Sequence, residues 1–221
     1  MSASFHPDPA TLMAYAAGTL DEAFAVVVSC HLETCDQCAQ EVRDLERLGG
    51  ASLDNSSEAR LSDGAFGRVL EKIYVEGAQD DTIIDIGADT DEGNQPPSAL
   101  QSYLEGDLNS IPWKRVSPGV WQKQLNVGDG AQSSLRLLRI ASGKKVPEHG
   151  HGGHEMTLIL SGAYEDEIGH FAKGDVADLD DHVEHQPFVV SDEDCICLVA
   201  TEAPTKFKSL AGRIMQPFVG I

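Results

Sequence analysis

Two short stretches gather the side chains that bind metal ions. The first is His31-x3-Cys35-x2-Cys38, three soft or borderline donors within eight residues, and His6 is the one other histidine in that half of the chain. A zinc ion takes four such donors in a tetrahedron, so His6, His31, Cys35 and Cys38 make a complete candidate set for a structural site. The second is His149-x-His151-x3-Glu155. These three positions share parity, so on a roughly continuous strand their side chains project to one side. Imidazoles with a carboxylate suit a divalent first-row metal, and zinc, manganese, iron and nickel all fit that donor chemistry. Two further cysteines, Cys195 and Cys197, alternate on a predicted strand and face the same way, either as small buried residues or as a redox-responsive pair. Cys30 falls off the ligand face and is expected to be a packed thiol.

The elements that must position these groups differ between the two halves. Asp8 followed by Pro9 opens a helix with Leu12, Tyr15 and Ala16 on its apolar stripe, and Gly18 stops it. Thr19 and Glu22 have capping-box spacing and predict a second helix carrying Phe24, Val27, Val28 and His31. Thr34 and Gln37 predict a second box, so a third helix opens near Cys35 and brings Cys38 one turn on. A polar gap from Gly49 to Ala59 precedes a fourth helix with Phe66, Val69, Leu70, Ile73 and Tyr74 on one stripe. Ala23 to Val28 is apolar nearly all round, and the fourth stripe has no obvious groove of its own. Both are therefore candidate partner-binding faces. From about Trp113 the period changes to short alternating or apolar runs, such as 120–127, 134–140, 156–160 and 195–200, separated by Gly, Pro, Asn and Asp. That pattern predicts a sandwich or barrel.

Charge narrows the function. The chain of 221 residues carries 36 acidic against 16 basic residues, a formal charge of −20. Such a surface repels a phosphate backbone, which argues against direct DNA binding and favours a basic protein partner. The first 95 residues hold 19 acids and 5 bases. Residues 77–98 contain six acids, no Lys or Arg and a Pro-Pro pair, which reads as an acidic flexible linker between units at 1–76 and 99–221. No apolar run approaches the length a bilayer demands and no secretory signal precedes the first helix, so the expected setting is cytoplasmic and off the membrane. In a reducing compartment the clustered cysteines suit metal or redox chemistry better than disulfides.

The pattern of His6, His31, Cys35 and Cys38 on a small acidic helical unit resembles the zinc-binding domain of bacterial anti-sigma factors. Gly143-x5-His149-x-His151-x3-Glu155-x6-Gly162 resembles the first motif of the cupin barrels. In that second resemblance His185 fits as the ligand from a neighbouring strand. The usual proline and glycine are missing before it, which leaves His182 as a rival. Together the two halves resemble the ChrR-type anti-sigma factors. The resemblance implies a two-domain α plus all-β fold, a zinc-stapled helical domain followed by a cupin β-barrel (double-stranded β-helix). It further implies a one-to-one complex with an extracytoplasmic-function sigma factor, whose polymerase-binding surfaces the helical domain masks. The cupin would be needed for release under oxidative stress from singlet oxygen or organic peroxide. Cupins also include dioxygenases and isomerases, so a metal-dependent enzyme tethered to a helical zinc domain is the alternative, with Glu165, Glu167 and His170 as its titratable candidates.

Overall fold

A computed structural model describes residues 3–76, 96–104, 108, 110–128, 130–204 and 206–207. The helical half contains α1 (Pro9–Ala16), α2 (Glu22–Leu32), α3 (Asp36–Asp54) and α4 (Ala65–Glu76), and the short α5 (Ser98–Gln101) leads into the second half. Asp8 caps α1 by accepting from the Ala10 N–H, and Gly18 takes φ of 67° just beyond its end, both as the sequence predicts. The two expected capping boxes do not form. Asp21, nearer the helix than Thr19, caps α2 by accepting from Ala23 N–H, while the Thr19 hydroxyl turns back to the Ala14 carbonyl. Cys35 itself is the N-cap residue of α3, which has no side-chain cap, and the Thr34 hydroxyl donates to the His31 carbonyl. The polar gap is also shorter than expected, because α3 continues through Gly49 and Gly50 to Asp54.

The second half is antiparallel throughout. Its strands are β1 (Lys114–Ser117), β2 (Val120–Leu125), β3 (Ser134–Ile140), β4 (His149–Gly150), β5 (Glu155–Ser161), β6 (Ala163–Glu165), β7 (His170–Ala172), β8 (Val176–Leu179), β9 (Glu184–His185), β10 (Phe188–Val189), β11 (Cys195–Thr201) and β12 (Lys206–Phe207). They form a six-stranded sheet in the order β1-β2-β3-β11-β5-β8, faced by the short sheets β10-β6-β7 and β12-β4-β9. His170 begins β7.

The alternation along the large sheet explains how the halves fit together. Ile140, Ile159, Ala177, Cys195, Cys197 and Val199 point into the barrel, whereas Leu135, Leu137, Met156, Leu158, Leu198 and Ala200 point out. The outward set is buried in one continuous core with Phe24, Val27, Val28 and Cys30 of α2, Leu12 of α1 and Val42 of α3. Both faces of β5 are therefore covered, which is why residues 156–160 are all apolar except Thr157. The same packing corrects one expectation: α2 is apolar all round because it is wedged between its sister helices and the barrel. Phe24, Val27 and Val28, at 2%, 0% and 0% exposure, offer no free partner face.

Polar contacts reinforce this seam. Asp21 accepts from Gln132 N–H and the Ser133 hydroxyl, and Glu22 accepts from Gly128 N–H and the Tyr103 hydroxyl. Burial and that bond to Glu22 push the Tyr103 phenol up to about 12. Glu33 caps α5 through Ser98 N–H and Ala99 N–H. The expected linker at 77–98 lies outside the described residues as far as 95, but its last residues are anchored to α2 by this cap and Pro96 is buried. Among the described residues no helix is long and apolar enough to cross a membrane.

Candidate metal centres and their setting

The helical unit brings together the four donors that the spacing singled out. The ligand atoms of His6, His31, Cys35 and Cys38 all lie within 4.8 Å of one another. His6 Nδ1 is 3.4 Å from Cys35 Sγ and 3.3 Å from Cys38 Sγ, and His31 Nε2 is 3.4 Å from Cys38 Sγ. The His31 Nδ1–H donates to the Gly174 carbonyl at 2.8 Å, so its Nε2 lone pair faces the cluster. Burial lowers the His31 pKa and keeps the ring neutral, the form that ligates. Burial together with Cys35 pushes the Cys38 thiol up to about 12, so two thiolates could share this site only against a cation. Two thiols and two imidazoles, converging and buried except for a half-buried His6, fit a tetrahedral zinc ion.

The barrel interior holds the second set. The ligand atoms of His149, His151, Glu155 and His185 likewise lie within 4.8 Å of one another, and all four residues are buried. His149 and His185 face each other through Nε2 at 3.1 Å, paired across the β4–β9 ladder. Their other nitrogens are fixed by donation, from His149 Nδ1–H to the Pro147 carbonyl at 2.9 Å and from His185 Nδ1–H to Asp166 at 2.8 Å. His151 Nδ1 contacts Glu155 at 3.1 Å, while its buried Nε2 has no hydrogen-bond partner among the described residues. An unpartnered buried nitrogen on a ring packed against two imidazoles and a carboxylate fits a metal site better than a closed hydrogen-bond network. Burial and the neighbouring His185 push His149 down to about 4. Burial would raise the Glu155 carboxyl, but the hydrogen bond from His151 and the surrounding imidazoles together hold it below the usual value.

The continuous strand expected for these ligands is broken: β4 ends at Gly150 and β5 begins at Glu155, so His151 sits in the intervening turn. His182, the rival ligand, has a side chain 87% exposed and stands outside the cluster. Reading the sequence missed Asp166, whose side chain is fully buried beneath His185. It lies within the Glu165-Asp166-Glu167 run, and nothing in such a run marks its middle residue as the inward one. Of the enzyme candidates, His170 pairs with Glu165 at the surface and Glu167 accepts from Gln186 N–H, so none faces the cluster.

Cys195 and Cys197 do face the same side, with sulfurs 3.5 Å apart, and Cys197 borders the largely apolar cavity beside the barrel cluster. Both are buried, and the contact with Cys195 plus burial raises the Cys197 thiol well above its usual value. The exposed thiolate on which a redox-sensing pair would depend is therefore absent. Cys30 is fully buried, its thiol pushed up to about 12 by burial and by Glu33, in keeping with a packing role. By contrast Phe66, Val69, Ile73 and Tyr74 of α4 are between 55% and 75% exposed, and Leu70 is half-buried.

Comparison with known proteins extends across both halves. The ChrR cupin-like domain family matches residues 103–204. Over 222 residues, covering 100% of each chain, the sequence is 37% identical to the anti-sigma-E factor ChrR of Cereibacter sphaeroides. This chain belongs to the ChrR family of anti-sigma factors. The structure of Rhodobacter sphaeroides SigE in complex with the anti-sigma ChrR matches with a TM-score of 0.75 and 36% identity, covering 90% of this chain and 99% of that chain. As a ChrR-family chain it combines the helical unit and the cupin in one regulator, and the enzyme alternative gives way to that role.

Proposed function

We propose that this chain binds an extracytoplasmic-function sigma factor one to one in the cytoplasm and withholds it from RNA polymerase by steric masking. Zinc in the His6, His31, Cys35 and Cys38 site shapes the helical unit at residues 1–76. A divalent metal in the His149, His151, Glu155 and His185 site equips the barrel at 99–221 for release of the sigma factor under oxidative stress, from singlet oxygen or organic peroxide. The observation that carries this reading is the full-length likeness to an anti-sigma factor solved with its sigma factor bound.

The chain's own surface supports the reading. Phe66, Val69, Leu70, Ile73 and Tyr74 form an amphipathic stripe on α4, the form in which a helix enters a partner's groove. With the α2 face taken by the barrel, α4 carries the partner-binding role. The acidic excess of the first 95 residues complements a basic partner and opposes binding to DNA. Release need not be energetically large: a hundredfold loss of affinity corresponds to about 2.7 kcal/mol, within reach of one displaced helix or one lost ligand.

The test is co-expression with the host's extracytoplasmic-function sigma factors. Wild-type protein should copurify one untagged sigma factor in equal amount. A fragment ending near Gln95 should still repress the target promoter but ignore singlet oxygen and peroxide. Failure of every such sigma factor to copurify would overturn the binding role, and a fragment that still responds to stress would remove the barrel from signalling.

A further inference from the structure

The histidine half of the N-terminal cluster is oriented by the barrel as well as by α2, which carries His31. His31 Nδ1–H donates its orienting hydrogen bond to the carbonyl of Gly174, in the turn between β7 and β8, where φ of 94° suits only glycine. His6 lies on an extended arm, and that arm is tied to the same turn. The carboxylate of Asp175 accepts from Ser4 N–H and Phe5 N–H at 2.5 and 3.0 Å through one oxygen, and from Ala172 N–H at 2.8 Å through the other. Val176 N–H donates to the Phe5 carbonyl, so the arm runs beside β8, an edge strand of the large sheet. Phe5 stacks on Phe171 with ring centroids 4.3 Å apart and lies over Gly169, where a Cβ would come within 2.6 Å of the ring. Further along, Asp178 accepts from Asp8 N–H at the start of α1.

We propose that the Gly174–Asp175 turn and the socket for Phe5 are positioning elements of the N-terminal metal site, so that the barrel sets the affinity of the helical unit for its ion. The cysteines sit together at the start of α3, and docking of the arm and α2 on the barrel fixes how the two imidazoles are aimed at them. Coupling of this kind is reciprocal: an ion at the cluster tightens the seam, and any displacement of the β7–β8 turn loosens the ion. Groups that orient metal-ligating histidines typically change affinity by about 10- to 100-fold when removed.

The inference rests on the metal-binding reading of the cluster, and one titration separates the two. Cobalt(II) alone is added to metal-free full-length protein, and the thiolate-to-cobalt charge-transfer absorption is followed; only a site with cysteine donors produces it, so the barrel site is silent. Wild type should saturate at no more than two equivalents, since the silent barrel site also takes cobalt. Asp175→Ala should bind at least about tenfold more weakly, with Asp175→Asn, which keeps one acceptor oxygen, in between. Phe5→Ala leaves the barrel's own turn intact and should weaken binding in the same direction, which keeps the test decisive if Asp175→Ala impairs barrel folding. Wild-type affinity in Phe5→Ala overturns the proposal. Absence of the absorption in wild type overturns the metal reading and this inference with it.

Discussion

The two donor clusters use the same principle of orientation from opposite directions. The barrel cluster is self-sufficient: its histidines donate hydrogen bonds within the barrel, to the Pro147 carbonyl, to Asp166 and to Glu155. The N-terminal cluster is composite, with its cysteines on one unit and the orienting contact for His31 on the other. A preassembled site inside a barrel holds its shape whatever the helices do, whereas a site shared between two units reports on whether they are docked. That difference suits a regulator in which one half masks a partner and the other half controls the mask.

The sharpest way to break the comparison is to remove one donor from each cluster. Cys38→Ser removes a ligand from a site that contributes on the order of 10 kcal/mol of folding free energy in small zinc-stapled units. It should abolish copurification of the sigma factor and leave the target promoter constitutively active, while the barrel keeps its ion. His149→Ala should do the reverse, losing the barrel metal with sigma binding retained. Metal analysis beside pull-down checks both, and an unchanged sigma complex in Cys38→Ser would show that the helical unit does not need its ion.

A second contrast sets two phenylalanines against each other. Phe24 is 2% exposed, stacks on His154 with ring centroids 4.7 Å apart and seals the seam between α2 and the barrel. Phe24→Ala should cost about 3–5 kcal/mol of stability in a denaturant melt. Phe66, at 75% exposure, should cost about 0.5 kcal/mol or less as Phe66→Ala, yet weaken the sigma complex. If Phe66→Ala proved as destabilising as Phe24→Ala, α4 would be a core helix and its partner-binding role would fall.

These two residues also show what could be read in advance. Phe24 and Phe66 both sit on apolar helical stripes, and periodicity cannot say whether the surface opposite belongs to the same chain or to another. Seven of the donors were legible because chemistry restricts them to few residue types at few spacings, His185 came only from the cupin resemblance, and all eight lie in their expected clusters. The strand order and the interlocking of the halves were not legible, because they depend on contacts between distant residues such as Gly174 with His31 and Asp175 with Phe5. Helix caps failed for a smaller reason. Two acceptors near a helix start compete, and Asp21 prevails over Thr19 because it immediately precedes the first helical residue and accepts from Ala23 N–H.

The smallest expected effects concern the support of His185. Asp166 has a fully buried side chain and accepts from His185 Nδ1–H, and although burial would raise its carboxyl, that bond and those from Ile168 N–H and Gly169 N–H together hold it low. Asp166→Asn preserves shape but removes the charge that keeps the ring oriented and basic. It should weaken metal binding in the barrel by about tenfold with the N-terminal site unchanged. His182→Ala, three residues from His185 but exposed, should change neither metal content nor sigma binding. Equilibrium dialysis with each variant reads both numbers. A loss of barrel metal in His182→Ala equal to that in His185→Ala would mean that the ligands exchange when an ion binds, and would make the barrel site, rather than the shared one, the adaptable member of the pair.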